Sequence, residues 1–336
     1  MVNINTQRTV LITGCAGLIG NNFARFLLNK NYKVVGIDNL TGGFIDLLPV
    51  DENFIFYKLD LDSQTKIREI VEKHKPEVVY HFAAYAAEGL SPFIRYFNYK
   101  NNVLASASII NACIQNQTKI VFASSMAVYG TQNPPFTEIM NCLPDDPYGV
   151  AKLSIEHDLR CAGNQFNLRY SIIRPHNVIG LFQNIWDKYR NVLGIYVHNA
   201  ISGKPLMIFG DGEQTRAFSD VKFILEPLEK LILQGDFQTY NIGSDRVVTI
   251  NELARIVKKV SQEFNFSPKI QYVEKRHEVM HAYSDHNKAK SELNFADDTQ
   301  VEEVTRQVFE WALEQPKRKI LDMKYEIDKD LYTYWR

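Results

Sequence analysis

The chain has 336 residues, enough to bury a sizeable core and to build two domains or one domain carrying a lobe. Its 38 Lys and Arg balance 39 Asp and Glu, which argues against any general affinity for nucleic acid or an anionic membrane. No apolar run approaches membrane length, the polar start Met1–Arg8 leaves no room for a signal peptide, and Cys15, Cys113, Cys142 and Cys161 lack paired metal spacing, so a cytoplasmic protein with reduced thiols and no metal is expected.

Thr9–Gly20 is an apolar run that breaks into Gly14, Gly17 and Gly20 and continues as an amphipathic segment. It reads as a strand, a phosphate-cradling turn and the start of a helix whose free amides face an anion. Lys33–Asp38 reads as a second strand ending in an acid, eighteen residues after Gly20. A carboxylate there suits an adenosine ribose and repels a 2′-phosphate, favouring NAD over NADP. Asn39–Gly43 is a loop and Phe54–Lys58 a third strand, with Asp60 following near an adenine edge. Asp62 is expected to cap a helix over Gln64–His74. Glu77–Phe82 is a fourth strand, followed by small residues that let a cofactor lie close. Leu90–Cys113 has helical spacing, Lys119–Ser124 is a fifth strand, Tyr148–Cys161 a helix and Tyr170–Arg174 a sixth strand. This alternation predicts an α/β fold with a doubly wound parallel sheet, a Rossmann domain.

After Pro175 the rhythm changes to shorter elements: a helix over Ile195–Ser202, strands at Met207–Phe209 and near Phe218 and Tyr240–Ile242, a helix Asn251–Phe264 capped by Thr249, and a late helix Val301–Trp311. The predicted division is a cofactor domain over 1–175 and a smaller α/β substrate lobe over 176–336, with a chain that crosses back blurring the boundary. The charged, aromatic tail Lys317–Arg336 is expected to pack on the body.

Tyr148 and Lys152 stand four residues apart at a helix start, on one face. An ammonium nearby favours phenolate, so this pairing predicts a tyrosine shifted toward the working range of a general base. Ser124 and Ser125, at the end of the fifth strand, supply a hydroxyl. Glycine turn, acid, serine and Tyr-x-x-x-Lys, in that order, are jointly specific.

This set resembles the extended short-chain dehydrogenase/reductase family, and within it the NAD-dependent nucleotide-sugar epimerases and dehydratases typified by UDP-glucose 4-epimerase. The resemblance spans nearly the whole chain, through Gly14-x-x-Gly17-x-x-Gly20, Asp38-Asn39, Asp60-Leu61, His81–Ala84, Ser124–Gly130, Tyr148-x-x-x-Lys152, Arg174–Gly180, Gly210–Arg216 and Arg276 with Asp285. It implies Ser125, Tyr148 and Lys152 as the catalytic triad. It implies NAD held by Gly14, Gly17, Leu18, Ile19, Asp38, Asn39, Asp60, Leu61, Ala83, Asn102, Tyr148 and Lys152. Asn177, Arg216 and Arg276, with Ser125, would hold a nucleotide diphosphate sugar, the guanidiniums suiting its phosphates.

The implied activity is 4-epimerisation: Tyr148 takes the C4 hydroxyl proton, NAD accepts a hydride, and the keto sugar turns over and takes it back. Two alternatives use the same fold: a 4-dehydrogenase that releases its keto sugar, and a non-catalytic NAD-binding regulator. Dehydration is disfavoured, because Met126 and Ala127 stand where dehydratases carry an acidic pair. Ala86 replaces a family lysine, and Ala282 stands where glucose-specific epimerases carry a bulky aromatic, which implies room for larger sugars. The resemblance also implies a homodimer or higher homo-oligomer, built on the helices around Leu90–Cys113 and Tyr148–Cys161.

Overall fold

Apolar runs of four to six residues make the first six strands, β1 (Thr9–Thr13), β2 (Lys33–Asp38), β3 (Phe54–Lys58), β4 (Val78–His81), β5 (Lys119–Ala123) and β6 (Tyr170–Pro175). Every residue of β4 and β5 is buried, as in a parallel sheet covered on both faces. This computed structural model describes residues 7–319 and 322–335. Helices α1 (Leu18–Asn29), α2 (Gln64–His74), α3 (Arg95–Tyr99), α4 (Ala105–Asn116) and α5 (Pro147–Phe166) connect the strands. The segment expected as one helix over Leu90–Cys113 is a 3-10 turn at Glu88–Phe93, then α3, a π turn at Lys100–Leu104 and α4. Asp62 does not cap α2: Ser63 takes the N-cap position, and the Asp62 carboxylate pairs with Lys100 at 3.2 Å.

The later elements are shorter: β7 (Val178–Ile179), α6 (Val192–Ile201), β8 (Leu206–Phe209), β9 (Thr215–Ala217), β10 (Ser219–Asp220), α7 (Val221–Lys230), β11 (Gln238–Ile242), β12 (Val247–Thr249), α8 (Ile250–Glu263), β13 (Ile270–Val273), β14 (His281–Ala282), α9 (Asn287–Leu293) and α10 (Val301–Glu314). Thr249 caps α8, its hydroxyl accepting from the Glu252 amide at 3.0 Å. The main sheet has seven parallel strands in the order β3-β2-β1-β4-β5-β6-β11. One core layer joins α1 and α7 to the sheet, and the other joins α2, α4 and α5. The line drawn near residue 175 therefore runs through a chain that crosses back, since α7 and β11 lie beyond it yet complete the first layer. The lobe core gathers α6, α8 and α10 with β8.

A buried ionic network fixes α5 against the sheet. Arg174, on β6, donates from Nε and Nη2 to the two oxygens of Glu156, on α5, at 2.8 and 2.6 Å. Ser124 donates to the same carboxylate at 2.6 Å, and Arg174 Nη1 reaches the Tyr129 hydroxyl at 2.8 Å. Burial works against the Arg174 charge, and the bidentate carboxylate outweighs it.

The tail packs on the body. The Glu326 carboxylate accepts from the Tyr96 and Phe97 amides at 2.7 and 2.8 Å, and the Glu326 amide donates to the Phe93 carbonyl at 2.9 Å. Trp335 is buried against Phe93, Tyr189 and Tyr332.

Glu156→Gln leaves the Arg174 charge buried without its counter-charge and should cost about 3 to 5 kcal/mol, read as a lowered midpoint in urea unfolding.

Candidate active site

The strand order reverses at β1, whose two neighbours carry the chain away in opposite directions, and a crevice opens above the carboxyl ends of β1 and β4. Gly14 sits there with φ +73°, and a Cβ on it would stand 2.6 Å from the Ala83 nitrogen. A Cβ at Gly20 would collide with the Gly14 carbonyl, so both positions admit only glycine. Gly17 occupies the N-cap of α1 without a side-chain cap, which leaves the first amides of the helix to an anion. At the end of β2, Asp38 accepts from the Ala16 amide at 3.0 Å and the Leu40 amide at 2.7 Å. Burial still raises its pKa. The glycine cradle, uncapped helix and buried acid fit a dinucleotide.

The crevice holds a cavity of about 640 Å³ that reaches from Gly14, Gly17, Leu18 and Ile19 across to the lobe. Ser125, Tyr148 and Lys152 line its middle, and Asn177, Arg216 and Arg276 line its far side. Ser125 caps the 3-10 turn Met126–Tyr129, its Oγ accepting from the Ala127 amide at 3.1 Å. Asp146 caps α5, accepting from the Tyr148 and Gly149 amides at 2.8 and 2.9 Å, and so sets the first turn that carries Tyr148. Lys152, one turn on, donates to the Ala123 carbonyl at 2.7 Å and lies 5.7 Å from the Tyr148 ring centre.

The expected shift of Tyr148 toward phenolate is not what the site produces. Burial pushes the phenol up and the Glu88 carboxylate adds to the rise, while the Ser125 hydroxyl opposes it. Burial also lowers Lys152, to about 7. Burial thus leaves Lys152 only partly charged and raises the phenol directly, so desolvation wins over the pairing read from the spacing.

At the far side Glu278 bridges the two guanidiniums, 3.1 Å from Arg216 Nη2 and 3.2 Å from Arg276 Nη2. Arg276 Nε is buried without a partner among the described residues, and its guanidinium lies 4.5 Å from the Phe209 ring centre. Asn177 adopts φ +41°, in the left-handed region that asparagine tolerates.

Other residues named from the sequence lie away from the cavity wall. Asn39 donates to Asp60 at 3.4 Å at the edge beside Asp38, and Leu61 is buried in the core under α2. Ala83 backs Gly14, and Asn102 spends its amide on the Tyr85 backbone at 3.0 and 3.3 Å and on Asn98 at 2.8 Å. Ala282 packs with Val128, Tyr129 and Phe136 and is not among the described lining residues, so it does not widen the cavity directly.

The family model "NAD dependent epimerase/dehydratase family" matches residues 10–243. The chain belongs to that family. Among solved structures, UDP-glucose 4-epimerase of Thermotoga maritima, with UDP-glucose, is 28% identical with a TM-score of 0.85, covering 91% of this chain and 99% of its own. UDP-N-acetylglucosamine 4-epimerase of Methanobrevibacter ruminantium, in complex with UDP-N-acetylmuramic acid, is 29% identical at a TM-score of 0.85, covering 92% and 99%. UDP-glucuronic acid 4-epimerase of Bacillus cereus, with UDP-glucuronic acid and NAD, is 25% identical at 0.83, covering 91% and 99%. The chain is thus an NAD-dependent enzyme of the epimerase/dehydratase family. Among the described residues, no helix is long and apolar enough to cross a membrane, and no cluster of potential ligands gathers for a metal.

Several lining residues of this family member carry no motif in its sequence. Arg190 comes from the loop before α6, paired with Asp187 at 2.8 Å and close enough to Asp38 to oppose its rise in pKa. Tyr332, Tyr334 and Trp335 reach the cavity from the tail. Glu88 belongs to none of the motifs, and the fold brings it to the cavity.

Two measurements test this electrostatic and steric picture. Gly14→Ala should bind far less NAD than the parent, measured by releasing cofactor on denaturation, because the new Cβ displaces the Ala83 backbone. Crowding by protein raises Glu88 to about 7, with Asp146 adding to the rise and Arg216 and Arg276 opposing it. A carboxyl raised in the fold stabilises it below the ordinary carboxyl pKa and loses that contribution as the pH climbs through 7. The melting temperature of Glu88→Gln should therefore rise relative to the parent between about pH 5 and about pH 8.

Proposed function

We propose that the protein is a nucleotide-sugar 4-epimerase that oxidises C4 of a nucleoside diphosphate sugar and returns the hydride to the opposite face. The observation that carries this is one continuous cavity with Ser125, Tyr148 and Lys152 at its middle and the Glu278-bridged arginines at its end. A diphosphate held by Arg216 and Arg276 would direct the sugar back toward Tyr148. Met126 and Ala127 follow Ser125 and cannot move a proton, which favours epimerisation over dehydration. The similar uridine diphosphate sugar epimerases make the uridine series the first substrates to try.

NAD, when bound, supplies the hydride acceptor and donor. The chain's own part is acid–base work and positioning. Tyr148 Oη accepts the C4 hydroxyl proton and later gives one back, and Ser125 Oγ hydrogen-bonds the reacting oxygen. Lys152 orients the ribose and supplies positive charge beneath the phenol. Asn177 and the arginines hold the sugar nucleotide while the keto ring turns over.

The outer faces of α3 and α5 expose Tyr96, Val150 and Phe166, and Leu104 is exposed in the π turn between α3 and α4, which supports a homodimer built on the helices around Leu90–Cys113 and Tyr148–Cys161. The cysteines among the described residues are free, in keeping with a cytoplasmic enzyme.

Tyr148→Phe should lower turnover at least about a hundredfold while nucleotide-sugar binding, measured by calorimetry, changes little. Full activity of that variant sinks the assignment. Mass spectrometry of the products separates the outcomes: an isobaric, C4-inverted sugar marks an epimerase, and a product two mass units lighter with NADH marks a net dehydrogenase.

A further inference from the structure

Charged side chains around the cavity are committed to partners, with one exception. Among the described lining residues, Arg216 and Arg276 share Glu278, Arg190 is paired with Asp187, Lys188 lies 2.8 Å from Asp322, and Lys152 donates to the Ala123 carbonyl. The acids are similarly occupied: Asp145 meets His277 at 2.7 Å, and Asp146 caps α5. Glu88 alone lines the cavity with a carboxylate that makes no hydrogen bond or ion pair to the described residues.

Its position is informative. Glu88 starts the 3-10 turn Glu88–Phe93, whose backbone is fixed by the Ser91 hydroxyl donating to the Glu88 carbonyl at 2.8 Å. It shares the cavity lining with Tyr148, Arg216 and Arg276, and a Cβ on its neighbour Gly89 would stand 3.7 Å from Arg276 Nη1. Tyr148 marks the reacting C4 and the arginines mark the diphosphate at C1. Glu88 lines the cavity that holds both marks, so a sugar ring seated between them would have an edge within its reach.

We propose that Glu88 is the residue that reads the sugar, accepting hydrogen bonds from the hydroxyl groups of a neutral hexose and turning away hexuronates. The inference rests on the 4-epimerase reading. A carboxylate accepts and does not donate, so it is satisfied by hydroxyl or amide donors and repels a second carboxylate. Turning the keto ring over about the diphosphate exchanges its C2–C3 edge with its C5–C6 edge. A C6 carboxylate must then face Glu88 in one of the two poses, whichever edge is presented first. No lining cation stands free to neutralise it once the diphosphate takes the arginines.

The test compares UDP-glucose with UDP-glucuronate at about pH 8, where Glu88 is ionised, in the parent and in Glu88→Gln. For the parent, kcat/KM for the uronate should fall at least about a hundredfold below that for glucose, and Glu88→Gln should shrink this ratio about tenfold or more. Equal or better use of the uronate by the parent, or an unchanged ratio in the variant, overturns the proposal. Bound NAD and unfolding midpoint are measured alongside, so that a misfolded variant is recognised, and Glu88→Asp serves as a second variant that keeps the charge and should keep the discrimination.

Binding of both sugars is followed by calorimetry in the same samples. A Glu88-dependent preference in binding without turnover upholds the role of Glu88 and removes the epimerase reading. Turnover with a binding and kinetic preference indifferent to Glu88 does the reverse.

Discussion

The bidentate pair between Arg174 and Glu156 decides where the chemistry can stand. It joins β6 to α5 inside the protein, with the Ser124 hydroxyl on the same carboxylate and the Tyr129 hydroxyl on the same guanidinium. Ser125 follows Ser124, and Tyr148 and Lys152 lie on the helix that carries Glu156. One ionic knot thereby ties together the strand end, the 3-10 turn and the helix that supply the reacting groups. A hydrophobic replacement could be as stable, since buried ion pairs repay little of their desolvation. What the pair adds is direction: two parallel hydrogen bonds admit a single rotation of α5 against the sheet, and so a single position for the phenol.

Much of this was legible in the sequence because short-range physics carried it. The glycine turn, the acid ending β2 and the Tyr-x-x-x-Lys spacing each have a local steric or periodic reason, and the strands are continuous apolar runs. The cap of α2 was misplaced by one residue because Asp62 found a better use across space, pairing with Lys100 on another element. Likewise, Asn102 was assigned toward the cofactor by position in a pattern, yet a π turn directs its amide into the backbone at Tyr85. Glu88, Arg190 and the tail aromatics could not be found in this way. They come from separated segments, and only the folded chain gives them a common cavity.

The tail shows how the two parts of the molecule are held about that cavity. Glu326 fastens it to the start of α3 through the Tyr96 and Phe97 amides and to the turn that Glu88 begins through the Phe93 carbonyl, while the Tyr332 hydroxyl accepts from the His277 amide and Thr333 donates to Glu274 at 2.8 Å. The tail therefore bridges the loop bearing Glu88 and the segment bearing Arg276 and Glu278. Trp335 seals the seam, packed against Phe93 and Tyr189. A cavity shared between two layers needs such a fastening, because its walls otherwise move with the lobe.

The electrostatics of Tyr148 follow from the same arrangement. Burial and the Glu88 charge keep its proton on, and burial alone keeps Lys152 near neutrality. A base that waits as a neutral phenol is costless to hold, but it must become acidic when the sugar is in place. Ser125 favours the ionised phenol already, and Lys152 lies beneath the ring. Recognition along the ring edge and proton transfer at C4 therefore meet in one carboxylate, whose ionisation suits the sugar hydroxyls and opposes that of the phenol.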